Sequence, residues 1–80
     1  MTTMVNSVLY VISDVLGVPP ERLNERSSLL TVPEWDSLAH LNLIATLEQK
    51  FGVAFTATDA ITMTDVMGLL NVLRQYGVGG

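Results

Sequence analysis

Val5, Val8, Leu9, Ile12, Val15 and Leu16 recur three and four residues apart, the spacing of one buried helix face. Thr2 or Thr3 offers a capping hydroxyl, and Gly17 suits the left-handed stop beyond the end, so a first helix is predicted here. The β-branched residues between Val8 and Ile12 lean toward strand, but period and stop signal together favour helix. Val18-Pro19-Pro20 then forbids continuation. Residues 18–35 read as a long connection that still carries Leu23, Leu29, Leu30, Val32 and Trp35. So many apolar positions predict a loop packed across the core, while the paired prolines and wide spacing of anchors predict that it moves.

A second helix is predicted over Ser37–Phe51, with Asp36 as N-cap and Gly52 as the stop. Trp35 before the cap and His40 at the fourth helical position occupy the two sites of a hydrophobic staple. Val53 and Phe55 anchor the next connection, and residues 56–61 have room for at most a short helix. A final helix, capped by Thr62 or Thr64, should bury Val66, Leu69, Leu70, Leu73 and Tyr76 and stop at Gly77. Gly68 inside it costs roughly 1 kcal/mol relative to alanine, so either backbones pass closely there or the helix is weakened. Residues 77–80 should form a frayed tail. The sum is an all-α bundle of three main helices plus a short third helix, with a long loop between the first two, in a single domain over residues 1–80.

Around the second helix, at roughly 100° per residue from Ser37, His40, Leu43, Ile44, Leu47 and Phe51 fall in one arc that should face the core. Leu38, Ala39, Asn42, Ala45, Thr46 and Gln49 fall on the opposite side, and Ser37 sits at the edge between them. Leu38, Asn42, Ala45 and Gln49 are therefore the candidate partner-binding residues. Leu38 is a large apolar side chain on the outward side and a natural docking knob.

Composition narrows the chemistry. The chain has 80 residues, 49% of them hydrophobic, and no cysteine, which excludes disulfides and thiolate chemistry by the polypeptide itself. Four basic against eight acidic residues give a formal charge of −4, so the clustered Lys and Arg of a nucleic-acid surface are lacking. No apolar run reaches the ~18 residues of a membrane span. The apolar stretch Val8–Ile12 has no basic residues before it, so a signal peptide is not expected and the cytoplasm is the default compartment.

Three readings of Ser37 follow from the residues. As a first-turn serine it can simply serve the helix start. As a nucleophile it would need His40 as its base, but the helical arithmetic turns His40 inward, and neither a Gly-x-Ser-x-Gly elbow nor an orienting third residue accompanies it. As a tether, it would bear a phosphate-linked group at a helix N-terminus, where unpaired amides and the dipole favour a phosphodiester. Asp36 opposes such a group by charge but could assist its installation by holding a metal ion or polarising the hydroxyl.

Asp36-Ser37-Leu38, followed by Leu41, Ile44, Leu47-Glu48 and Phe51-Gly52-Val53, resembles the acyl carrier protein family over nearly the whole chain. The resemblance implies that Ser37 receives 4′-phosphopantetheine from a phosphopantetheinyl transferase that uses coenzyme A. It further implies that Asp36 assists, that the arm's thiol carries acyl groups as thioesters, and that the protein is a monomeric carrier rather than an enzyme, with no resident metal. Its partners would be an acyl-activating ligase or acyltransferase and the synthase enzymes of fatty acid, polyketide or related secondary-metabolite and polysaccharide-modification pathways. Leu41, Ile44 and Leu47 could line an acyl cleft, although each is equally explained as core. The remaining alternative is an unmodified helical adaptor that docks partners through the Leu38 face. Glu34-Trp35 ahead of the triplet and an outward arc without carboxylates depart from the common fatty acid carriers, which implies a specialised carrier.

Overall fold

The computed structural model describes residues 3–78, with side chains from residue 5 onward. Its elements are α1 (Thr3–Leu16), a 3-10 turn (Pro20–Arg22), α2 (Ser37–Phe51), α3 (Ala57–Thr62) and α4 (Val66–Gln75). Thr3 is thus the first residue of α1, and Thr2 lies outside the described residues. The four helices surround one core of Val8, Val11, Ile12, Val18, Leu23, Val32, Trp35, Leu43, Ile44, Leu47, Met63, Val66, Leu69, Leu70, Val72 and Leu73. α1 packs mainly on α2 and, less extensively, on α4.

Helix ends follow the local chemistry. Asp36 caps α2 by accepting the Ala39 N–H through Oδ1 at 2.9 Å, and Gly52 ends it in the left-handed region at φ 67°. Thr56 and Asp59 form a reciprocal capping box on α3, satisfying two amides that the helix itself leaves free. The cap of α4 is Asp65, one residue past Thr64 and three past Thr62, the two candidates; its Oδ1 accepts the Gly68 N–H at 2.7 Å. That bond explains Gly68. A Cβ there would lie 2.6 Å from the Asp65 carboxylate and 2.7 Å from the Thr62 carbonyl, so close passage of the α3–α4 backbone requires the glycine.

Three expectations need correction. Tyr76 is exposed, because α4 ends at Gln75 and Tyr76 turns out as its C-cap; Val72 takes its place in the buried set. Leu30 is 92% exposed at the tip of a turn, while Leu23, Val32 and Trp35 are the buried anchors of the long connection. Val78 is not frayed. Its amide donates to the Leu73 carbonyl at 3.0 Å and its side chain packs against the core, with Gly77 at φ 82° making the reversal. Gly79 and Gly80 lie outside the described residues.

The long connection is fastened at several points. The Asn24 amide donates to Ser27 Oγ, the Ser28 amide to Thr31 Oγ1 and the Leu30 amide to Ser28 Oγ. Leu29 N–H donates to the Thr64 carbonyl at 2.9 Å and Val66 N–H to the Ser27 carbonyl at 3.0 Å, a single bridge that ties the loop to the start of α4. These pairings satisfy backbone groups that an irregular segment does not pair by a regular ladder.

Candidate functional site

Ser37 is the first residue of α2 and is exposed. Of the first-turn amides, that of Ala39 is taken by the Asp36 side chain and that of His40 by the Asp36 carbonyl at 2.8 Å. The amides of Ser37 and Leu38 have no acceptor within the helix, because the residues four back precede it. An exposed hydroxyl beside two such donors at the positive end of the helix dipole is chemically suited to carry a phosphodiester. The Asp36 carboxylate stands one residue away as the cap.

His40 does not serve Ser37. Trp35, buried to 1% exposure, donates its indole N–H to His40 Nδ1 at 3.0 Å, and the two rings stand 6.1 Å apart. His40 Nε2 lies 2.8 Å from the Ala60 carbonyl, which can only accept. Nδ1 must therefore be bare and Nε2 protonated, the neutral tautomer with both nitrogens engaged. The staple predicted between Trp35 and His40 is present, and it extends as a hydrogen-bonded chain from the loop through α2 to α3.

Next to Ser37 an open groove of about 430 Å³ runs between α2, α3 and the loop, lined by Leu29, His40, Leu41, Ala60, Ile61 and Thr64 together with Ser37 itself. Leu41 is 65% exposed and Ile61 74% exposed, both large apolar side chains presented to solvent at its rim. Of the three acyl-cleft candidates, Leu41 lines this groove. Ile44 and Leu47 are buried in the core and contribute nothing to its surface. Leu29, Ala60, Ile61 and Thr64 were not singled out from the sequence as site residues. Their meeting depends on the loop-to-α4 bridge and on where α3 sits, which no local pattern encodes.

Leu38, Asn42, Ala45 and Gln49 are all exposed on α2, with Leu38 at 69%. The helix has one acidic side chain, Glu48, and its Oε2 accepts the Phe55 amide at 2.8 Å. Its carboxylate is thus turned to the α2–α3 connection, and the exposed charged residue on α2 is Lys50. Arg22 donates to both oxygens of Glu34 at 2.9 and 3.1 Å, which holds the Glu34 carboxyl below its ordinary range and raises the guanidinium. Tyr76 donates its hydroxyl to Asp59, which lowers the Asp59 carboxyl, helped by the Thr56 amide, and raises the phenol. No helix among the described residues is long and apolar enough to cross a membrane.

The described residues thus form a four-helix module with an exposed hydroxyl at the tip of one helix and an apolar groove beside it. A family model described as the phosphopantetheine attachment site matches residues 6–73. The chain is similar to the acyl carrier protein of Chlamydia muridarum (strain MoPn / Nigg), 34% identical over 70 residues that cover 88% of this chain and 91% of the relative. The acyl carrier protein of Chlamydia trachomatis serovar L2 is 32% identical over 71 residues, covering 89% and 92%. That of Buchnera aphidicola subsp. Baizongia pistaciae is 24% identical over 76 residues, covering 95% and 97%. The chain belongs to the acyl carrier protein family, whose members hold 4′-phosphopantetheine and act as carriers, not catalysts.

Proposed function

We propose that Ser37 is the residue that bears 4′-phosphopantetheine, and that the protein presents acyl groups on this arm to a dedicated set of enzymes. The arm supplies a terminal thiol, which holds an acyl group as a thioester. The polypeptide's part is to expose the Ser37 hydroxyl and offer the Ser37 and Leu38 amides to the phosphate. The observation that carries the reading is the position of an exposed Ser37 on the first turn of α2, at the edge of the groove formed by Leu41 and Ile61. Asp36 fixes that turn and stands where it can assist the transferase. After incubation with coenzyme A and a broad-specificity phosphopantetheinyl transferase, the intact mass should rise by one phosphopantetheinyl group. No gain would favour the unmodified adaptor.

The partners in this reading are the transferase, an acyl-activating ligase or acyltransferase, and synthases that meet α2 through Leu38, Asn42, Ala45 and Gln49. With Glu48 occupied by the Phe55 amide, α2 offers little for a basic partner patch to pair with. Charges at the rim of an interface govern association rate and discrimination between partners. A face without them suits a specialised carrier of fatty acid, polyketide or related secondary-metabolite or polysaccharide-modification chemistry. Loading and elongation by housekeeping fatty acid enzymes should fall well below those of a general carrier; equal efficiency would remove the specialisation.

A further inference from the structure

His40 stands between the groove beside Ser37 and the hydrophobic interior. The groove takes in His40 and Leu41, whereas Ile44 and Leu47, one and two turns further along α2, are sealed in the core. Passage from groove to core lies between α2 and α3, and there the His40 ring spans the gap. Its Nδ1 accepts from Trp35 at 3.0 Å and its Nε2 donates to the Ala60 carbonyl at 2.8 Å. α3 itself has no buried residue. An alkyl chain that slid past this bridge would have to separate α3 from α2. It would leave the Trp35 indole N–H and the Ala60 carbonyl without partners against hydrocarbon, the least favourable setting for a polar group.

We infer that His40 is a specificity-determining residue for the cargo. By bridging Trp35 and Ala60 it closes the route to Leu47 and confines the acyl group to the surface groove of Leu29, Leu41, Ala60 and Ile61. The carrier is therefore matched to short acyl groups that fit this groove. A long alkyl chain finds no buried compartment and remains exposed with its thioester. The inference rests on the attachment of the arm at Ser37 proposed above.

The test uses the full chain, loaded by the transferase with either butyryl- or dodecanoyl-coenzyme A and then treated with hydroxylamine, with thioester loss followed by intact mass. In the unmutated protein the dodecanoyl thioester should be cleaved at least as fast as the butyryl thioester, because the long chain reaches no buried compartment. In His40→Leu, which keeps an apolar bulk but cannot form the bridge, cleavage of the dodecanoyl thioester should slow relative to butyryl. A factor of roughly four or more is expected, the factor that burial of one further methylene supplies. A merely structural role for His40 would change both rates alike and leave their ratio untouched. Shielding of dodecanoyl in the unmutated protein, or an unchanged ratio in a His40→Leu protein folded by circular dichroism, would overturn the inference. Should His40→Leu fail to fold, His40→Met gives the same comparison with a more adaptable side chain, and the unmutated pair decides if neither folds. A chain that takes up no acyl-pantetheinyl mass at all overturns the attachment reading and this one with it. Normal loading followed by shielding overturns this one alone.

Discussion

The irregular connection from Gly17 to Asp36 sends Leu23, Val32 and Trp35 into the core and ties itself to α4 through the Leu29–Thr64 and Ser27–Val66 bonds. The regular helix α3, on the other side of the same groove, buries none of its own residues. It is held by the half-buried Phe55 before it and the fully buried Met63 after it, by Ala60 packed partly buried against the core, and by two polar contacts, Ala60 with His40 and Asp59 with Tyr76. Regularity and anchoring are therefore decoupled in this molecule. Regular hydrogen bonding satisfies the backbone of α3, but buried side chains decide what is firmly held, and those belong to the loop. One wall of the groove is fixed and the other hangs on a few contacts.

Substitution should expose the difference most strongly at Trp35 and Ile61. Trp35→Ala removes the largest fully buried side chain and strands His40 Nδ1, so about 3–5 kcal/mol of unfolding free energy should be lost. Ile61→Ala, on the exposed face of α3, should change stability by less than about 0.5 kcal/mol. Denaturant melts of the two variants give both values, and similar losses would erase the contrast. Gly68→Ala should follow, with a cost of about 1–3 kcal/mol despite alanine's better helix propensity, because its Cβ overlaps Asp65 and the Thr62 carbonyl. A stabilised Gly68→Ala would mean that the α3–α4 turn yields easily.

Amide exchange sharpens the comparison without mutation. The amides of Leu29, Val32 and Val66, bonded within the loop and to α4, should exchange more slowly than those of Ala60 and Met63 in and after α3. The reverse order would make α3 the firmer wall. The smallest effect is that of pH. The Asp59 carboxyl is held below its ordinary range, chiefly by the Tyr76 hydroxyl and then by the Thr56 amide. A lowered folded pKa contributes stability that is present above the unfolded value and lost as pH falls through the folded one. Acid below the ordinary carboxylate range should thus release α3 from Tyr76, and Tyr76→Phe should shift that titration upward. Chemical shifts of the Asp59 and Thr56 amides report it, and an identical titration in Tyr76→Phe would remove the tie.

The long helices were legible because their signals are local. The arc of Leu43, Ile44 and Leu47, the Asp36 cap and the Gly52 stop need only residues a few positions apart. Trp35 against His40 was legible for the same reason. Leu30 was misplaced because a turn built from Ser28 and Thr31 points it outward, a matter of side chain-to-backbone bonds and not of hydropathy. Tyr76 was misplaced because the helix period was continued one residue past its end. Half of the candidate site was hidden for a different reason. Ile61 and Ala60 join Leu41 through the bridge at His40, and Leu29 joins them through Thr64, pairings between segments that no periodicity relates.

The attachment of the arm at Ser37 is tested most directly by locating the added mass. After treatment with coenzyme A and transferase, proteolysis and fragment mass analysis should find one phosphopantetheinyl group on the fragment that contains Ser37, and Ser37→Ala should take up none while melting close to the unmutated protein. A group found on another serine such as Ser27 or Ser28, or one that persists in Ser37→Ala, would contradict the role assigned to this helix tip.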